Sequence, residues 1–258
     1  MKPFLSALLA AALFLPACFP RKPAITLPEV PAETMVRALE YRRQSFTTLS
    51  ALASVQVARK GRRRAFDTVG ILLESQKQFR IEAFSPLGQP LVTLAWNGRE
   101  LQLKMAGDDK IQTPGPAGLE RLLGLRMEMH VLSALLSGNI PEGSDTSAAR
   151  AFCRQDSTCV VELGRGASLS RVWGVFSPRE SSGRFTMTAY EEYQGERLLF
   201  RAQYGPMESI RGYLFPMNIT IESPGRSVKL AVEYSDVELN GPLESGRFTL
   251  SGRKGPAP

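Results

Sequence analysis

The sequence predicts a mainly β fold, one large curved antiparallel sheet forming an incomplete barrel closed by amphipathic helices. Three observations point there. Beyond residue 46 apolar side chains recur with a period of two, as in a half-buried strand. Turn residues interrupt that pattern every ~8–12 positions. Only three short stretches carry a helical period. The chain has 258 residues, 43% hydrophobic and 22% charged, enough apolar mass for one sizeable core and unlike a disordered composition.

The elements follow in order. Residues 4–15 carry no charge. As a helix they would span roughly 18 Å at ~1.5 Å per residue, short of a ~30 Å bilayer core. That length suits the apolar region of a secretory signal. Leu15-Pro16-Ala17-Cys18 then resembles a bacterial lipobox, whose Cys thiol takes a diacylglyceryl group and becomes the first mature residue. Phe19 follows, and not the Asp that holds such proteins at the inner membrane of enteric bacteria. The resemblance therefore implies a lipid anchor at Cys18 on the periplasmic face of the outer membrane, stable because two acyl chains or more are buried. Residues 1–17 are expected to be a signal peptide and 18–32 a tether, extended by Pro20, Pro23, Pro28 and Pro31. Residues 33–250 are expected to form one folded domain, and 251–258 a Gly/Pro-rich flexible tail.

Residues 33–46 read as a helix, with Met35, Val36, Leu39 and Phe46 near one face. Residues 52–57 and 65–73 read as a hairpin around Lys60-Gly61-Arg62-Arg63-Arg64. Strands follow at 79–84, 91–96 and 101–105, the last two joined through Asn97-Gly98. Helices are expected at 116–124 and 128–137, the second ended by Gly138 and Pro141. Strand patterns resume at 149–152, 160–163, 171–176, 184–193, 197–204, 217–222 and 228–234, with a further candidate at 247–250. If Cys18 is lipidated, Cys153 and Cys159 remain as a pair in an oxidising compartment, flanking a turn. They form either a disulfide stapling a hairpin or two free thiols.

Several blocks resemble a known family. These are 79–88 with the strand after it, the Leu-rich pair 118–124 and 131–138, and Phe215-Pro216-Met217-Asn218-Ile219-Thr220-Ile221 leading to Val228-Lys229-Leu230-Ala231-Val232. Their order is similar to that of LolB-like outer-membrane lipoprotein receptors, of the LolA/LolB lipoprotein-localisation fold family. The resemblance implies an unclosed antiparallel barrel of about eleven strands with an N-terminal helix and a two-helix lid. It implies a cavity that takes acyl chains of lipoproteins from a LolA-like periplasmic carrier and a role in inserting them in the outer membrane. A protruding membrane-insertion loop is implied at Pro86, Leu87 and Gly88, though Leu87 can equally tuck back onto the sheet. Cavity and lid candidates are Leu119, Leu122, Leu123, Val131, Leu132, Leu135 and Leu136, with Phe84 and Trp96. The alternative is the same fold used as a structural or assembly lipoprotein that binds a partner or another hydrophobic ligand. A monomer is expected in either case.

Much chemistry is excluded by composition. One His cannot make a multi-histidine metal site, and three Cys cannot make a Cys₄ zinc site. No G-x-S-x-G, P-loop or dinucleotide fingerprint occurs. Asp108-Asp109 and Glu191-Glu192 read as a turn and a strand end, and His130 as a capping or surface residue at a helix start. No enzyme activity, cofactor or metal is expected. The formal charge of +7 would suit nucleic acid, but an exported chain does not meet it. The cluster Lys60, Arg62, Arg63 and Arg64 can face anionic head groups or an acidic carrier, or simply be a solvated turn.

Overall fold

The computed structural model describes residues 24–250, apart from 109, 116–117, 165, 179–182 and 245 and the side chains of 119 and 121. The lipobox-like residues 15–18 and the tail 251–258 lie outside the described residues. One antiparallel sheet dominates, with strands in the order β1-β7-β8-β9-β10-β11-β14-β15-β2-β3-β4-β5-β6. These are β1 (Glu29–Val30), β2 (Thr48–Arg59), β3 (Arg62–Glu74), β4 (Gln78–Phe84), β5 (Pro90–Trp96), β6 (Leu101–Met105), β7 (Arg150–Cys153), β8 (Thr158–Leu163), β9 (Ser168–Ser177), β10 (Arg184–Gln194), β11 (Arg197–Tyr204), β14 (Asn218–Ser223) and β15 (Val228–Leu239). A separate hairpin joins β12 (Met207–Ile210) to β13 (Tyr213–Pro216). The edge strands β1 and β6 do not pair, so the barrel is open. Thirteen strands in the main sheet exceed the expected eleven.

Alternation sorts the side chains to two faces. Leu49, Val69, Ile71, Leu73, Phe79, Val161, Val172, Ile221 and Leu230 are buried on the concave face. Helix α1 (Glu33–Gln44) lays Met35, Ala38 and Leu39 into that core. Its Glu33 sits in the first turn and Arg42 and Arg43 in the last, each matched to the helix dipole. Helices α2 (Gly118–Leu123) and α3 (Met129–Leu136) cover the remaining concave surface. The Ser133 hydroxyl anchors α3 by donating to the Ser75 carbonyl at 3.0 Å, and the buried Tyr234 hydroxyl donates to the Leu136 carbonyl at 2.8 Å.

Cys153 and Cys159, directly opposite on β7 and β8, are joined in a disulfide. Three features differ from the sequence reading. Glu29 and Val30, read as tether, pair with Phe152 and Ala151 of β7. The β12–β13 hairpin was unforeseen. Residues 247–250 form a turn and not a strand, with Phe248 and Leu250 buried and the Leu250 N–H donating to Gln102 Oε1 at 2.7 Å.

Candidate functional site

The loop between β4 and β5 is built to project. Gly88 N–H donates to the Ser85 carbonyl and Ser85 N–H to the Gln89 carbonyl, each at 2.8 Å. Gly88 has φ +75°, where an L side chain is strained. Closed this way, the turn leaves Leu87 88% exposed, the largest exposure among the large apolar side chains described. Leu91 on β5 and Met105 on β6 are also exposed at this end, where the Ala106 N–H donates to the Leu91 carbonyl. Pro86 is exposed as well.

The lid leucines divide into two groups. On α3, Leu132, Leu135 and Leu136 are part of the core, and Leu135 exposes 0%. A side chain with no exposed surface borders no space that water could occupy, so α3 packs directly on the core at Leu135. Leu125, between the helices, is equally buried. By contrast Leu122 on α2 is 37% exposed, Leu123 packs half-buried on the core, and Val131 is half-buried. The Leu119 side chain lies outside the described residues. Trp96 faces inward, its ring 5.7 Å from that of Phe79. Phe84 does not: its ring lies against Gly70 on the convex face. Phe79, Ile81 and Ala83 point inward, so strand alternation turns residue 84 outward.

Open space lies elsewhere, in a cleft of about 1200 Å³ between the helices and the strand ends of β8–β11 and β14. That exceeds the ~300–1,000 Å³ of an ordinary small-molecule site. Its apolar wall includes Val131, Leu198, Leu199 and Phe200, while Glu120, Arg126, Glu128, Glu192 and Arg226 supply charge. Arg226 donates to Glu120, which ties α2 to the turn between β14 and β15. At the floor Tyr190 donates to Glu192 Oε2 at 2.7 Å and lies 2.9 Å from Ser170 Oγ. Burial first, and the Glu192 charge second, push the Tyr190 hydroxyl well above its ordinary pKa, so it stays a protonated donor. Such a cleft suits an amphiphile, with an apolar body and a polar end. Sequence reading missed it because its lining comes from residues spread between 120 and 226.

Among the described residues no group of His, Cys, Asp and Glu could hold a metal. No helix among them is long and apolar enough to cross a membrane.

No protein-family model matches the chain, and no curated protein sequence matches it. Solved structures do match. A LolA superfamily protein of Nitrosomonas europaea aligns with TM-score 0.54 and 18% identity, over 86% of this chain and 98% of that one. A DUF1329 family protein of Desulfovibrio piger aligns with TM-score 0.58 and 10% identity, over 84% and 96%. A Vibrio parahaemolyticus domain named for outer membrane lipoprotein sorting gives 0.58 and 10%, over 84% and 94%. The fold is LolA-like. That agrees with the open sheet, its N-terminal helix and its covering helices.

Proposed function

We propose that this protein is an envelope lipoprotein, anchored to the outer membrane through Cys18, that accepts the acyl chains of other lipoproteins and inserts them in that membrane. The carrying observation is Leu87, 88% exposed on a projecting turn of a LolA-like fold. A leucine exposed to this degree adds little to packing, whereas its burial in a lipid surface is favourable by ~1.5–3 kcal/mol. The amphiphilic cleft beside α2 and α3 is where an acyl chain would first dock. Since Leu132, Leu135 and Leu136 fill the concave face at rest, the chain reaches the core only if the helices move off the sheet. An acyl chain with ~15 buried CH₂ groups gains ~12 kcal/mol on leaving water, at ~0.8 each. Exchange between apolar protein and bilayer keeps most of that gain, so transfer needs no nucleotide. The reading needs no catalytic residue. The delivering partner is a soluble LolA-like periplasmic carrier, and the protein works as a monomer.

The test is transfer of an acylated lipoprotein from its carrier to membranes. Leu87→Glu should change stability by no more than ~0.5 kcal/mol, as surface changes do, while cutting transfer sharply. Transfer at the wild-type rate would remove Leu87 from the mechanism. The packed interior favours a second reading, in which the same fold serves as a structural or assembly lipoprotein. Native mass spectrometry with acyl ligands separates the two, because the second predicts no bound chain.

A further inference from the structure

The β2–β3 hairpin breaks two local rules at its tip. Its turn residues Lys60 and Gly61 both have positive φ, 48° and 78°. The first of these positions favours Asn, Asp or Gly, and here carries a lysine. Next to the turn, Arg59 and Arg62 are paired directly across the ladder, where like charges are destabilising. Arg64 follows on the same face as Arg62, and Arg63 on the other. All are exposed, and among the described residues no carboxylate forms an ion pair with Lys60, Arg62, Arg63 or Arg64. Along the sheet from β7 to β15, by contrast, cations stand opposite carboxylates. Four clustered cations left without carboxylate partners at an exposed tip point to an external anion.

The position of the tip narrows the choice. Strand β3 pairs antiparallel with β4, with Val69 opposite Ala83. The start of β3 and the end of β4 therefore lie at the same end of the sheet. The basic turn and the Leu87 loop both project from that end, with Leu91 and Met105 exposed beside the loop. Cations and an apolar probe at the same end match a surface that offers negative charge outside and hydrocarbon beneath. We propose that the β2–β3 tip is a docking site for anionic phospholipid head groups, acting with Leu87 to seat this end of the protein on a membrane. The proposal is independent of acyl-chain handling, since it requires no cargo.

The experiment measures binding of the full chain, carrying Cys18→Ser so that no acyl anchor contributes. Vesicles of phosphatidylcholine alone are compared with vesicles that also contain phosphatidylglycerol. Any uncleaved apolar segment would bind both, so the readout is the preference for the anionic set. Each cation near such a surface contributes roughly fivefold to binding. The triple change Arg62→Gln, Arg63→Gln and Arg64→Gln should therefore reduce that preference about 100-fold, as should high salt for the parent chain. A matched control, Lys77→Gln, Arg99→Gln and Arg150→Gln, lowers net charge equally at other places and should leave it intact. Circular dichroism establishes that each variant is folded. Equal binding to both vesicle types, or an equal loss in the two triple variants, would overturn the proposal. So would a tip that ignores vesicles but binds polyglutamate, which would assign it to an acidic protein.

Discussion

The sheet treats its cross-strand charges in two opposite ways. From β7 to β15 one register row reads Arg150, Glu162, Arg171, Glu191, Arg201, Glu222 and Lys229, each opposite its neighbour on the next strand. Signs alternate without exception along it. Arg171 donates to Glu162 at 3.0 Å, and Lys229 lies 2.8 Å from Glu222. One strand further the row runs out, with Ala58 and then Arg63, and next to it at the β2–β3 tip, on the other face, Arg59 stands opposite Arg62. Alternating cross-strand charges pin register, since a one-residue slip would move them to the apolar face. Repeated charges do nothing for the fold. The first region is thus explained by assembly of the sheet, whereas the cations of the second fit the external anion proposed above.

The largest expected effect tests the paired row at its centre. Glu191 is 1% exposed and accepts from Arg201, from Trp173 Nε1 at 3.0 Å and from the Tyr193 hydroxyl at 2.9 Å. Burial, and then the Glu191 bond, push Tyr193 up to about 12, so it remains a donor over the physiological range. Arg201 is 42% exposed, so the main cost of removing the Glu191 charge is weakened bonds from its buried donors, ~1–3 kcal/mol. Glu191→Gln should lose that much in urea unfolding, or roughly 2–4 °C of Tm per kcal/mol for a domain of this size. A loss below about 1 kcal/mol would mean the row is incidental to stability. At its exposed end the same row should matter less. Lys229→Glu places a carboxylate opposite Glu222, and unfolding should show a loss of only ~0.2–1 kcal/mol.

Legibility in the sequence follows the range of the interaction. Strand β4, helix α3 and the Asn97-Gly98 connection are fixed by neighbours in the chain, and their positions were readable. So was the turn at Ser85-Pro86-Leu87-Gly88, although whether Leu87 projects from it or tucks back was not. Phe84 was also readable in principle, because its parity differs from that of Phe79, Ile81 and Ala83. The two-residue β1 acquires strand geometry only from β7, which lies far along the chain. Phe248 and Leu250 are apolar because a turn buries them, and burial in a turn has the same composition as burial in a strand. The charge row was hidden for another reason. Register shifts at Tyr193 and between Tyr234 and Asp236 decide which residues meet, and no period reveals a bulge. The cleft depends on the same long-range placement.

The smallest effect separates the two regions by sign. Arg62→Glu at the tip would set a carboxylate opposite Arg59 and turn a like pair into an opposite one. Cross-strand pairs of this kind contribute ~0.2–1 kcal/mol, so the variant should be slightly more stable than the parent. Its preference for anionic vesicles should fall in the same experiment, since one cation is lost and one anion gained. In the paired row no charge reversal can do this; it can only remove a matched partner. A variant that unfolds later yet binds anionic membranes less is the signature of a residue kept for an external partner at the expense of the fold. Thermal unfolding and vesicle binding measured on one preparation supply both numbers. Destabilisation by Arg62→Glu would show that the tip arginines serve the hairpin, and the contrast between the two regions would disappear.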